Sequence, residues 1–243
     1  MTVFLLSDSL RFPPAYLAEE NGLLAIGGDL SEKRLVEAYK LGIFPWYAND
    51  DPILWWSPKH RFVLYPDDFR IWRSLKKTLK KNRFNITFDT DFSGVIRSCA
   101  AVNTKKHLDT WIVQDMITAY ERLFAAGYAH SVEAWNDAGL LVGGLYGVSM
   151  GKCFFGESMF TLENDASKVA FAVLVRFLKQ EKFQMIDCQL KTDHLSRFGA
   201  VEVHRKIFLK KLNKAISVKS LPGKWTFDLH TMYPEVGTAF ALQ

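Results

Sequence analysis

Cysteine is scarce in this 243-residue chain: Cys99, Cys153 and Cys188, an odd number with no C-x-x-C pair. That excludes a secreted disulfide framework and a cysteine-held structural zinc site, and points to a reducing compartment. Histidine is thin as well, and His130, His194 and His204 have no metal-ligand spacing. Long apolar runs are missing. A bilayer span needs ~20 apolar residues in a row; the most apolar stretches, 169–175 and 140–148, fall far short, and glycines interrupt the second. Residues 1–6 have neither the basic flank nor the apolar length of a secretion signal. No internal repeat or low-complexity tract is visible. A cytoplasmic protein with no membrane partner is expected.

What is present is ordinary for a globular chain: 49% hydrophobic, 14% aromatic and 23% charged residues. At ~150 residues per domain, one or two domains are expected. The net charge of +5 is unevenly spread. Residues 70–83, RIWRSLKKTLKKNR, hold seven bases and no acid, leaving the rest of the chain at −2. One patch therefore carries the basicity, which suggests a polyanionic partner.

Ser31 as N-cap predicts a short helix to Leu41, with Gly42 just beyond its end. Residues 42–58, rich in aromatics and turn signals, read as a loop and a short strand. A boundary is expected near residue 65, separating a small N-terminal α+β domain (1–65) from a larger unit (66–243). The basic stretch 70–83 reads as a helix, with Ile71 and Leu75 on its apolar side. Residues 91–101 and 114–126 are further helical patterns, the second stopped by Gly127. From 128 the period changes to two. Strands over 131–135, 140–148 and 153–160, joined by short turns, predict an antiparallel meander. A long apolar helix over 165–180 follows, N-capped by Asn164 or Asp165. Then come a strand at 185–190, a short helix near 192–198, a strand near 201–205 and a basic helix to about 215. That order predicts an α+β fold on a mixed sheet.

Two strand patterns place chemistry. In 185–190, MIDCQL, alternation puts Asp187 and Gln189 on one face, ~6.6 Å apart over two residues' rise. They are either ordinary polar residues on a wet face or a working pair. Cys188 falls on the opposite, core-facing side. In 155–160, Glu157 shares a face with Phe155 and Met159, where an unpaired charge is costly. It must lie at an edge, be paired within the fold, or await a cationic ligand. Trp55 and Trp56 read as core residues. Trp46, after a proline in a turn-rich loop, is open to either a core or a ligand role. Gly143, Gly144 and Gly147 lie in a strand pattern with no helix following, so close strand packing explains them better than a nucleotide loop.

The strings NGLLAIGGDLS (21–31), GIFPWY (42–47), PILWWSP (52–58), TWI (110–112), AHSVEAW (129–135), LVGGLYGV (141–148), FGESMF (155–160), ASK (166–168), IDCQ (186–189) and HLSRFGA (194–200) occur in that order. Together they resemble the leucyl/phenylalanyl-tRNA–protein transferases across nearly the whole chain. The resemblance implies an enzyme that moves Leu or Phe, with Met as a further candidate, from aminoacyl-tRNA to proteins beginning with Arg or Lys, whose products pass to the degradation machinery. It also implies a C-terminal domain like the acetyl-CoA-dependent N-acyltransferases. The glycine-rich pyrophosphate turn of those relatives is missing; residues 161–166 stand in its place. The donor is an ester and the product an amide, so no cofactor and no metal are expected.

On the matching positions, Asp187, Gln189 and Glu157 are the implied catalytic residues. Gln189 is expected to orient the incoming amine, while Asp187 positions Gln189 and favours the developing ammonium. Glu157 is expected to pair with a cation, either the donor's α-ammonium or the acceptor's Arg or Lys side chain. Leu145, Phe154, Met159, Phe171 and Leu174 map onto the slot for the transferred side chain. Strict alternation separates Phe154 from Met159, so both can line it only if a bulge lies near Gly156. Trp46 and Trp111 map onto the cradle for the terminal adenosine. Arg73, Lys76, Lys77, Lys80, Lys81 and Arg83 are expected to track tRNA phosphates. A monomer is expected. Two rivals stand beside this expectation: an acyl-CoA-dependent N-acyltransferase, which the missing pyrophosphate turn disfavours, and a non-catalytic tRNA-binding module, which leaves Asp187, Gln189 and Glu157 unexplained.

Overall fold

The computed structural model of the chain describes residues 3–105, 112–221 and 223–226. The N-terminal part holds β1 (Phe4–Leu6), β2 (Leu23–Gly27), α1 (Glu32–Lys40), β3 (Phe44–Pro45) and β4 (Leu54–Trp56), with the strands in a small sheet of order β1-β2-β4-β3. Ser31 caps α1 by accepting from the Arg34 amide, and Gly42 ends the turn beyond it at φ +69°.

The larger sheet comprises β5 (His60–Leu64), β6 (Asn85–Phe88), β7 (Ala129–Trp135), β8 (Leu141–Met150), β9 (Cys153–Thr161), β10 (Met185–Asp187) and β11 (Val201–His204), in the order β11-β5-β10-β9-β8-β7-β6. The meander β7-β8-β9 is antiparallel as its short turns require. β9 and β10, joined through the long helix α5 (Ala166–Gln180), pair in parallel, so the sheet is mixed and the α+β class is observed. β5 precedes residue 65 in the chain yet pairs with β10 and β11 in this larger sheet.

Helices cover both faces. One face carries α3 (Phe92–Lys105), α4 (Gln114–Ala125) and α7 (Arg205–Ile216), packed with α1 around Tyr146, Val148 and Phe155. The other carries α5, with α2 (Arg73–Lys80) and α6 (Asp193–Arg197), around Leu145, Phe154 and Ile186. Glycine lets α5 and β8 approach closely. A Cβ on Gly143 would lie 2.5 Å from that of Ala166, and one on Gly147 would lie 2.5 Å from the Phe154 ring. Close strand packing is what these glycines serve.

Two expected elements differ in extent. The basic helix spans only Arg73–Lys80, because Trp72 is held extended and Arg70 donates its amide to the Phe198 carbonyl. The strand expected over 185–190 stops at Asp187, for a reason that lies in the site.

Candidate active site

β9 meets β8 with one break in register: Tyr146 faces Ser158 and Gly147 faces Gly156, leaving Glu157 unmatched. This is a β-bulge, next to Gly156, where the resemblance required one if Phe154 and Met159 were to share a slot. Its effect is to bring Phe154 and Met159 to the same cavity, a space of about 450 Å³. Leu145, Phe171, Ile186 and Cys188 also line it, with Phe44, Leu190 and Leu195 adding further apolar surface. Leu174 is the exception among the expected wall residues. It is fully buried in the core around α5 and, one helical turn along from Phe171, does not line the cavity.

The bulge turns the Glu157 side chain toward neutral partners. Tyr39 of α1 donates to Oε1 at 2.8 Å, Tyr120 of α4 to Oε2 at 3.0 Å, and Gln189 Nε2 to Oε1 at 3.1 Å. The Tyr39 and Tyr120 hydroxyls also lie against each other; with one proton apiece, a bond between them takes the place of one of the two donated to Glu157, unless the carboxyl group itself carries the third proton. Of the three situations open to this carboxyl group, pairing within the fold is observed, but by neutral donors. Burial pushes its pKa up from 4.5 to about 7, against the pull of the tyrosine hydrogen bonds; the Asp187 charge adds to the rise. The same burial, with Glu157 beside them, holds the Tyr39 and Tyr120 phenols well above their ordinary range, so they serve as donors.

Asp187 corrects the wet-face alternative. Its side chain is fully buried, as is that of Arg61 on β5, and the two form a forked pair: Nη2 to Oδ2 at 2.6 Å and Nε to Oδ1 at 2.8 Å. The guanidinium lies between the rings of Phe44 and Phe208 and donates also to the Gly42 carbonyl. A buried ion pair holds only when its remaining hydrogen-bonding positions are met. One position on Asp187 is met by the Gln189 amide, which donates to Oδ1 at 2.9 Å.

That bond ends the strand. It curls the chain back at Gln189, which sits at φ +52°, a left-handed conformation that a non-glycine residue adopts only when its surroundings hold it. The Gln189 carbonyl accepts from the Phe62 amide at 3.1 Å. Its backbone is thus fixed on both sides, and its carboxamide reaches the cavity. The expected shared strand face of Asp187 and Gln189 is therefore replaced by a turn. Gln189 meets the cavity; Asp187 touches it only through Gln189. Cys188, expected to face the core, is buried and also backs the cavity wall.

At the rim stand Trp46, 40% exposed, and residues of the α6 entry, Thr192 and His194. Trp56 leans edge-on against Trp46 and donates its indole N–H to the Trp46 carbonyl at 2.6 Å, so the outer face of Trp46 stays open. Trp55 is buried as expected, while Trp56 is only half-buried. Trp111 lies outside the described residues. Arg73, Lys76, Lys77, Lys80, Lys81 and Arg83 are all exposed on and after α2.

Sequence reasoning missed Tyr39, Tyr120, Arg61 and His194. The tyrosines read as core positions of two helices 81 residues apart, and no local pattern joins them. Arg61 did leave a signal: a charge at the head of the apolar run Phe62-Val63-Leu64 needs a buried acid.

A greasy slot closed at one end by a carboxyl group and a carboxamide suits an enzyme that grips an apolar side chain and works on polar groups beside it. Comparison with known proteins agrees. The family model of leucyl/phenylalanyl-tRNA protein transferase matches residues 63–213, and that of its N-terminal domain matches 28–59. A leucyl/phenylalanyl-tRNA–protein transferase of Solidesulfovibrio magneticus is 56% identical over 231 residues, covering 95% of this chain and 93% of the relative. One from Desulfatibacillum aliphaticivorans is 53% identical over 94% of this chain and 97% of its own. Among solved structures, that of FemX covers 84% of this chain and 71% of its own at 8% identity with a TM-score of 0.43, too loose to inform the site. The protein is an aminoacyltransferase. It belongs to the leucyl/phenylalanyl-tRNA–protein transferase family. Among the described residues no helix is long and apolar enough to cross a membrane.

Proposed function

We propose that this chain moves leucine or phenylalanine, with methionine as a further donor, from aminoacyl-tRNA to the α-amine of cytoplasmic proteins that begin with arginine or lysine, marking them for degradation. The observation that carries this is the bulge at Glu157, which sets a carboxyl group and the Gln189 carboxamide at the polar end of the apolar cavity. A leucyl or phenylalanyl side chain held against Leu145, Phe154, Met159 and Phe171 leaves its α-carbon at that end. The donor's own α-ammonium is then the cation within reach of Glu157. The exposed face of Trp46 is placed to stack the terminal adenine, for ~1–3 kcal/mol.

Chemically the step is aminolysis of an ester. The acceptor nitrogen bonds to the ester carbon, the bond to the ribose oxygen breaks, and the amine's proton ends on that oxygen. With an α-amine pKa near 7.7–8.0, roughly 10–20% of the acceptor is the neutral nucleophile at pH 7. The work left to the protein is to orient it and exclude water. Gln189, whose carboxamide oxygen accepts a hydrogen bond, orients the amine. Asp187 acts through it: paired to Arg61 and bonded to the Gln189 amide, it is a positioning residue and touches no substrate. The β9-α5-β10 unit with its parallel strand pair supports an N-acyltransferase-like ancestry for the larger sheet, while residues 161–166 offer no glycine to cradle a pyrophosphate.

The test is a peptide assay with leucyl- and phenylalanyl-tRNA. Peptides beginning with Arg or Lys should gain the amino acid, and one beginning with Ala should stay at background. Equal labelling of all three, or labelling of none, overturns the proposal.

A further inference from the structure

Behind the slot lies an aromatic layer that the reaction does not use. After α7 ends at Ile216, the chain crosses the end of the larger sheet as a strap. Ser220 Oγ accepts from the Gly151 amide at 2.7 Å, between β8 and β9. Gly223 then passes Gly127, beyond the end of α4. Finally the Trp225 amide donates to Asp89 Oδ2 at 2.7 Å. The indole is 2% exposed and stacks on His130, centroids 3.7 Å apart and planes within 8°. His130 is itself tied to the same carboxylate, Nδ1 to Oδ2 at 2.8 Å.

Of the aromatic rings around the indole, that of Phe154 lines the slot. The two rings lie 5.9 Å apart, and Phe154 pairs with Ser149 of β8 on one side and Ile186 of β10 on the other. Phe154 has little freedom of its own, because its ring lies over Gly147 where even a Cβ would come within 2.5 Å of it. Away from the cavity its ring meets Trp225, backed in turn by Phe177 and Phe183. Among the described residues, Trp225 Nε1 has no hydrogen-bond partner. A buried N–H left unmet costs stability, so the indole contributes here by its bulk.

We propose that Trp225 is a specificity-determining positioning residue: it holds Phe154 as the end wall of the slot and so sets how leucine and phenylalanine rank as transferred groups. This rests on the cavity being the side-chain slot, as read above. With the indole removed, Phe154 can recede, the slot deepens, and the larger donor gains on the smaller.

The experiment measures kcat/KM for leucyl- and phenylalanyl-tRNA on the full chain. Trp225→Ala should raise the Phe-to-Leu ratio by about tenfold, the scale on which an apolar pocket discriminates one methylene. Trp225→Phe, a milder change that keeps the layer filled, should shift it in the same direction by less. In a Phe154→Ala background, replacing Trp225 should leave the ratio where Phe154→Ala alone puts it. A uniform fall for both donors in the Trp225 variants, or a ratio shift that persists without Phe154, overturns the inference and leaves the reaction intact. Absence of transfer by the unaltered chain overturns both.

Discussion

Glu157 carries a proton up to about pH 7, well above the 4.5 of a free glutamic acid. Because the folded pKa is the higher, the folded chain binds this proton more tightly than the unfolded one between pH 4.5 and 7. The stability it contributes is present below 4.5 and is lost as pH rises through about 7. Glu157→Gln, which keeps the shape without the charge, should therefore gain on the unaltered chain in melting temperature between pH 5 and pH 8. A constant difference across that range would show that burial does not govern the group. The same substitution should weaken donor use at pH 8 more than at pH 6, since only the ionised group holds an ammonium. Asp187 makes the opposite case, a charge that must stay. Asp187→Asn leaves Arg61 buried without its counter-ion, and loss of ~3–5 kcal/mol is expected on denaturant unfolding. A loss below ~1 kcal/mol would mean that the Arg61 charge does not depend on Asp187 for its burial.

At the scale of elements, β8 and β9 pack by glycine at some positions and merely pass it at others. A Cβ on Gly147 meets the Phe155 carbonyl and the Phe154 ring, whereas one on Gly156 finds nothing nearer than the Asp187 carbonyl at 3.8 Å. Gly147→Ala should cost ~1–3 kcal/mol of stability, as overpacking does, and Gly156→Ala much less, both read from denaturant midpoints. Equal effects would contradict the register at the bulge. The meander and α1 with its Ser31 cap were legible in the sequence, because alternation and capping are local signals; the bulge followed only from the family resemblance, which puts Phe154 and Met159 in one slot against strict alternation. The stop of β10 was not. It depends on Arg61, 126 residues away, whose carboxylate partner draws in the Gln189 amide. Alternation therefore carried Gln189 one turn too far along a strand that the ion pair had already ended. Tyr39 and Tyr120 were hidden for the same reason: each looks like helix core until the fold sets their hydroxyls on one carboxyl group.

Across the whole molecule, the positive charge and the slot are separable features. α2 rests on α5 through Leu75, buried at the interface, and Thr78 donates to Asp165 Oδ2 at 3.0 Å, while Lys76, Lys77, Lys80 and Lys81 are exposed. Removing them changes little that holds the fold. If this face tracks tRNA phosphates, as the family resemblance implies, affinity should fall linearly in log K against log salt, with each phosphate neutralised on a duplex contributing a slope of ~0.9. The quadruple alanine variant should then bind aminoacyl-tRNA more weakly at low salt and show a slope smaller by about 2–4, with the unaltered chain and the variant converging as salt rises. Turnover of a minimal donor, leucine esterified to adenosine, should be spared, because that substrate reaches the Trp46 rim and the slot but carries no phosphate for α2 to hold. Equal losses on the full and the minimal donor would show instead that the lysines support the fold of the slot, and an unchanged salt slope would move the polyanion to another face, of which α7, with Lys206, Lys210, Lys211 and Lys214 exposed, is the next to test.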